Sequence, residues 1–170
     1  KLYRTNLTGA NLSGARLSNA DLSQSELTGA DLSNAELYNT QLIGANLSEA
    51  NLAGADLQKA QLTNTNFHRA NLTSAWLASA QLQDANLSQA NLFKSTLNSA
   101  NLRDADLSQA NLMEASLIKA NLQDVDLQDA DLNKTILFKA SVSKAALIEA
   151  QLCLTSLPDY TMHSRDCDRT

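Results

Sequence analysis

Two imidazoles, two thiols and eighteen carboxylates are the side chains of this sequence best suited to chemistry, and their spacing argues against catalysis. His68 sits in Phe67-His68-Arg69 and His163 in Met162-His163-Ser164. Neither arrangement pairs the imidazole with a nucleophile or with further ligands at metal-binding spacing. There is no Gly-rich phosphate loop. A catalytic carboxyl group needs a cleft in which burial shifts its pKa, and the pattern described below packs the interior with Leu and Ala. The expectation is a non-enzymatic chain with no cofactor and no metal site.

What must position these residues is a repeat. Positions 2, 7, 12 and onward in steps of five to 157 make 32 sites, of which 30 are Leu; the exceptions are Phe67 and Val142. Two residues before each centre, at positions 5 to 155, 23 of 31 sites are Ala. The residue between them is mostly Asn, Asp or Gln, as in Ala10-Asn11-Leu12. On an α-helix a period of five carries Leu around every face, and on a straight strand an odd period sends successive Leu to opposite faces. The chain must therefore turn once per repeat. With Leu and the small residue both pointing inward, four short sides close a square coil of twenty residues. Two large side chains per side would overfill it. The 32 centres then make about eight coils, a rod about 38 Å long at the usual strand spacing.

All five Gly residues (Gly9, Gly14, Gly29, Gly44 and Gly54) fall two after a Leu centre, at the corner, where a type II turn requires positive φ. From about residue 64 the same position holds no Gly and mostly Asn, Asp, Lys, Ser or Gln. A mixture of turn types is the expectation there.

The net charge of −5 and pI near 4.9 argue against direct nucleic-acid binding, which needs clustered Lys and Arg. Apolar runs are a few residues long, too short for a membrane span. Residues twenty apart should stack, so the outward positions read as columns. Ile118, Ile136 and Phe138 share one side, with Phe93 and Met113 on the neighbouring side: an apolar contact patch for a partner or for self-association, unless these groups pack on each other or under the C-terminal tail. Trp76 lies on the Ile136 side, three coils away. Asp84, Asp104 and Asp124 form an acidic column, with Asp106 and Asp126 beside it. These five could imitate DNA phosphates or attract a basic partner, or could simply face solvent. Lys94, Glu114 and Lys134 alternate in sign down one column.

The Ala-Asn/Asp-Leu-x-x run over positions 2 to 157 resembles the pentapeptide-repeat family. The resemblance implies a right-handed, four-sided parallel β-helix over 1–157 and a capping tail over 158–170. Known roles of that family range from none assigned to inhibition of DNA gyrase by DNA mimicry. Leu152-Cys153-Leu154-Thr155-Ser156-Leu157-Pro158-Asp159, followed by Asp166-Cys167, is similar to a tail found in cyanobacterial members, with Tyr160 where that tail has Gly. With that likeness, the two Cys suggest a Cys153–Cys167 disulfide binding the tail over the last coil. Two free thiols in a cytoplasmic protein are the alternative. The bridge would favour an oxidising compartment such as the periplasm or thylakoid lumen. In either case the tail should cover an edge open to strand pairing.

The functional expectation is a non-catalytic structural or protein-interaction module. One alternative is a DNA-mimic regulator of gyrase or another topoisomerase. Another is a docking domain of a larger protein such as a kinase, since the repeat is already under way at Lys1-Leu2-Tyr3 and further residues are expected upstream.

Overall fold

The computed structural model describes residues 2–167. Its backbone pairs at one interval: residue i bridges residue i+20 in parallel, from Asn6 with Glu26 to Ile136 with Ser156. Only β1 (Asn121–Leu122) and β2 (Ser141–Val142) extend such a bridge to two residues. A chain that always pairs in parallel with the segment one turn ahead is a parallel β-helix, here right-handed.

Each five-residue step is held by four backbone hydrogen bonds, one of them from the Glu49 N–H at the corner to the His68 carbonyl at 2.9 Å. The Leu47 N–H donates to Asn66 one rung ahead, at 2.7 Å, and the Asn46 N–H donates to Ser25 one rung back, at 2.9 Å. Ala50 N–H then closes the turn on the Leu47 carbonyl at 3.1 Å. The side chain of the polar residue before Leu adds a fifth tie. Asn51 Oδ1 accepts from the Ala53 N–H, and its amide donates to Asp31 Oδ1 one rung back. Asn and Asp therefore recur at that position because a short carbonyl or carboxylate there can satisfy a turn donor, whereas Gln61 and Gln81 donate instead to the Lys59 and Ser79 carbonyls.

The corners correct the expectation of mixed turns. Every corner from Arg4 to Lys139 has φ between +53° and +68°, whether or not it carries Gly. The i to i+3 bond and positive φ at the third residue are those of a type II turn. A left-handed conformation costs an L-residue about 1–2 kcal/mol. The corner N–H also donates to the next rung, as Asn19 does to Tyr38 at 2.9 Å, so a differently shaped turn would forfeit that bond and misdirect the following Leu. The stack imposes one turn on all sequences.

Leu and the small residue do face inward: from Leu22 to Leu137 every centre is at most 2% exposed, Phe67 included. Each buried Leu is worth about 1.5–3 kcal/mol. Where Thr stands in place of Ala, its hydroxyl donates to a carbonyl of the preceding rung, as Thr65 does to Leu42 and Thr135 to Leu112. Ser25 and Ser95 donate within their own turn, to Leu22 and Leu92. Interior hydroxyls are thus satisfied without water. At the N-terminal end Leu2, Leu7, Leu12 and Leu17 pack against the core but stay partly exposed.

The last rung departs from the pattern. Ser143 caps a short helix, α1 (Lys144–Glu149), its hydroxyl accepting from Ala146 N–H. Ala145, an inward position by register, is exposed, and Leu147 is only half-buried. The chain rejoins the stack at Gln151, which bridges Asp131. It then forms β3 (Thr155–Ser156), which pairs antiparallel with β4 (Met162–His163) through Thr155 with His163 and Ser156 with Met162. β4 therefore covers part of the edge of the last rung.

Candidate interaction surfaces

The outward side chains fall into columns because successive rungs are in register. Ile118 and Phe138 stand in one such column, where the Lys119 N–H donates to the Phe138 carbonyl at 2.8 Å. Ile136 is 41% exposed, while Ile118 and Phe138 are half-buried. The reason for Phe138 is the tail: Tyr160 lies against it, ring centroids 3.9 Å apart, and Lys139 Nζ sits over the Phe138 ring at 5.0 Å. Tyr160 takes φ +70°, in the left-handed region that favours Gly. Part of the apolar patch is thus covered by the protein's own tail. Trp76, 56% exposed, and Tyr38 belong to the same side of the coil.

Phe93 and Met113 occupy adjacent rungs of the neighbouring side, both half-buried, with Lys94 Nζ 4.9 Å from the Phe93 centroid. Glu114 bridges Lys94 at 3.6 Å and Lys134 at 3.5 Å, a three-residue ladder along the stack.

Asp84, Asp104 and Asp124 are all exposed corner residues on successive rungs. Asp106 bridges Asp126 along the adjoining column. The acidic column carries a cation that sequence reading had not set against it: Arg103 Nε is 3.1 Å from Asp104 and its Nη2 3.9 Å from Asp124. Two of the five carboxylates therefore share one guanidinium. Asp106 and Asp126 are each held by a turn N–H, from Ser108 and Gln128. Elsewhere, Asp31 is shifted below the usual carboxylate range by the backbone and hydroxyl donors of Ser33, and Asp159 by those of Thr161. Lys59 is raised by its contact with Tyr38.

Cys153 and Cys167 form a disulfide, Cα atoms 4.7 Å apart. Sequence reading missed the polar latch beside it. Arg165 donates to the Leu147, Ile148 and Ala150 carbonyls at the end of α1, and its Nε meets Asp166 Oδ2 at 3.0 Å. The Asp166 carboxylate, 7% exposed, accepts the Leu152 N–H. A groove of about 270 Å³ remains between α1 and the tail, lined by Leu147, Ile148, Leu152, Leu157, Lys144, His163 and Arg165. His68, the other imidazole, bonds Ser88 one rung on at 2.9 Å. Among the described residues no helix is long and apolar enough to cross a membrane.

A family model for pentapeptide repeats matches in eight copies that together run from residue 1 to residue 157. The chain belongs to the pentapeptide-repeat family. Its fold resembles that of QnrB1, a plasmid-mediated fluoroquinolone resistance protein, with a TM-score of 0.69 over 92% of this chain and 83% of that one, at 19% identity. HetL, from the cyanobacterium Nostoc sp. strain PCC 7120 and involved in heterocyst differentiation regulation, is 32% identical over 94% of this chain and 90% of its own, with a TM-score of 0.35. A thylakoid-lumen pentapeptide-repeat protein of Arabidopsis thaliana is 28% identical, covering 73% and 69% of the two chains at a TM-score of 0.37. No curated protein sequence matches the chain.

Proposed function

We propose that this pentapeptide-repeat protein is a non-catalytic interaction module that presents one side of a rigid rod to a protein partner. The observation that carries the reading is the exposure of Trp76 and Ile136 on one side of the stack, with Phe138 two residues from Ile136 on the same side and the Phe93–Met113 pair round the next corner. Apolar and aromatic groups held on a stiff backbone lose little entropy on docking.

Twenty-residue pairing with a turn every five residues supports a four-sided cross-section of about eight coils up to residue 157, with a capping tail from 158; residues 1 and 168–170 of the expected 1–157 and 158–170 segments lie outside the described residues. The disulfide favours a compartment where such bonds persist, such as a periplasm or thylakoid lumen. The test is Phe138→Asp. It should weaken partner capture or self-association at least about tenfold, as burying an unpaired charge costs well over 1.4 kcal/mol. Unchanged association would remove the site.

A DNA-mimic role against a topoisomerase draws on the Asp84, Asp104, Asp106, Asp124 and Asp126 carboxylates. Arg103 neutralising part of that column leaves it second. A supercoiling assay with neither inhibition nor protection at micromolar protein would exclude it.

A further inference from the structure

We infer that the protein associates with itself laterally, the lysine-bordered apolar side of one copy lying against the acidic side of the next. This rests on the contact surface proposed above and names its occupant as a second copy.

Five of the six lysines among the described residues border a single side of the stack. Lys94 and Lys134 stand at the corner before Ile136; Lys59, Lys119 and Lys139 stand at the corner after Phe138. All five are exposed. Lys94 and Lys134 share Glu114, whereas Lys59, Lys119 and Lys139 make no ion pair among the described residues. Asp104, Asp106, Asp124, Asp126 and Asp129 occupy the other side of the same rungs, with Glu114 at the lysine corner and Asp131 on a neighbouring side. Ten residues from Lys94 lies Asp104, ten from Lys134 lies Asp124, and ten from both Lys119 and Lys139 lies Asp129. Ten residues is half of the twenty-residue pairing interval, so each of these four lysines has an anion across the rod.

Sliding one rod sideways onto an identical, parallel rod brings the Lys119/Lys139 corner to the neighbour's Asp104/Asp124 corner, where Arg103 offsets one of the four charges of Asp104, Asp106, Asp124 and Asp126, and Lys134 to Asp129. The columns match because both repeat once per rung, about 4.8 Å apart. An anionic bilayer would meet the same lysines but would press Glu114, Asn98 and Ser116 against lipid. A foreign acidic protein would have to reproduce this spacing, which a second copy possesses already. The contact spans only a few rungs, so it is weak and sensitive to salt. It is also heterologous: the donor side and the acceptor side both stay available in a pair, and association is open-ended.

Sedimentation velocity on the intact, disulfide-bonded chain tests this, with Trp76, the sole tryptophan, reporting locally by its emission. At low salt the weight-average sedimentation coefficient should climb with concentration, and it should fall back in high salt. Lys119→Glu/Lys139→Glu and Asp104→Lys/Asp124→Lys should each weaken association at least about tenfold, since like charges then face each other. An equimolar mixture of the two variants should associate again, because each reversed corner meets its complement. A far-UV spectrum unchanged in both keeps the comparison valid. Wild-type protein monodisperse at low salt and millimolar concentration, or a mixture no more associated than its components, would overturn the inference. Binding to phosphatidylglycerol vesicles without self-association would overturn it in favour of lipid. If Phe138→Asp abolishes capture of a different protein while wild type stays monomeric, the contact surface stands and lateral association does not.

Discussion

At the scale of single residues, the demand that recurs most often is a left-handed corner. Glycine answers it at Gly54, where an added Cβ would also come 2.7 Å from Asn34 Oδ1. Most corners carry other residues and accept the strain, held by a turn bond and a bond to the next rung. Ser99, at φ +58° and exposed, illustrates it. Ser99→Gly relieves about 1–2 kcal/mol of left-handed strain against about 0.5–1 kcal/mol of added chain entropy. It should therefore raise stability by about 0.5–1 kcal/mol in urea unfolding. A neutral or lower value would mean that the corner is not strained as its φ implies. The five glycines marked the corners correctly in the sequence, but their absence after Gly54 misled. Local turn preference cannot reveal that hydrogen bonds from adjacent rungs impose one geometry.

Among the elements, α1 was the least legible. Leu147 keeps the five-residue register and Ala145 sits where a small inward residue belongs, so the pattern alone extends the coil through them. What competes is local: Ser143 can cap a helix, and Lys144-Ala145-Ala146-Leu147 are good helix formers. Two truncations separate the outcomes. Leu87→Ala, in a fully buried site, should cost about 2–5 kcal/mol. Leu147→Ala, half-buried on α1, should cost well under half as much in the same denaturant titration. Equal costs would place Leu147 inside a continuous coil. The tail was partly legible. Pro158 and Tyr160 signalled the end of the repeat, and the cysteines their pairing, but the Arg165 contacts to the end of α1 required α1 to be known first.

On the scale of the whole molecule, the stack and the cap are stabilised differently. Rungs hold one another by burial and bridges, while the tail is tied by the disulfide, the Arg165–Asp166 latch and Tyr160 on Phe138. Closing a loop of about 15 residues is worth about 3 kcal/mol in the chain-entropy model. Cys153→Ser/Cys167→Ser should therefore lose about that much in equilibrium unfolding, and a loss near zero would mean that the latch alone suffices. The tail also shapes the contact surface, because Tyr160 shields one face of Phe138 and leaves Ile136 and Trp76 open. That surface is the centre of the account, and site-specific photocrosslinking in the native source tests it most directly. A benzophenone side chain at Ile136 should give a discrete protein adduct, either this chain or another. The same group at Gln41, exposed on a side that neither the apolar nor the acidic contact uses, should give none. Adducts of equal yield from both positions, or none from Ile136, would contradict the assignment of this side as the interaction surface.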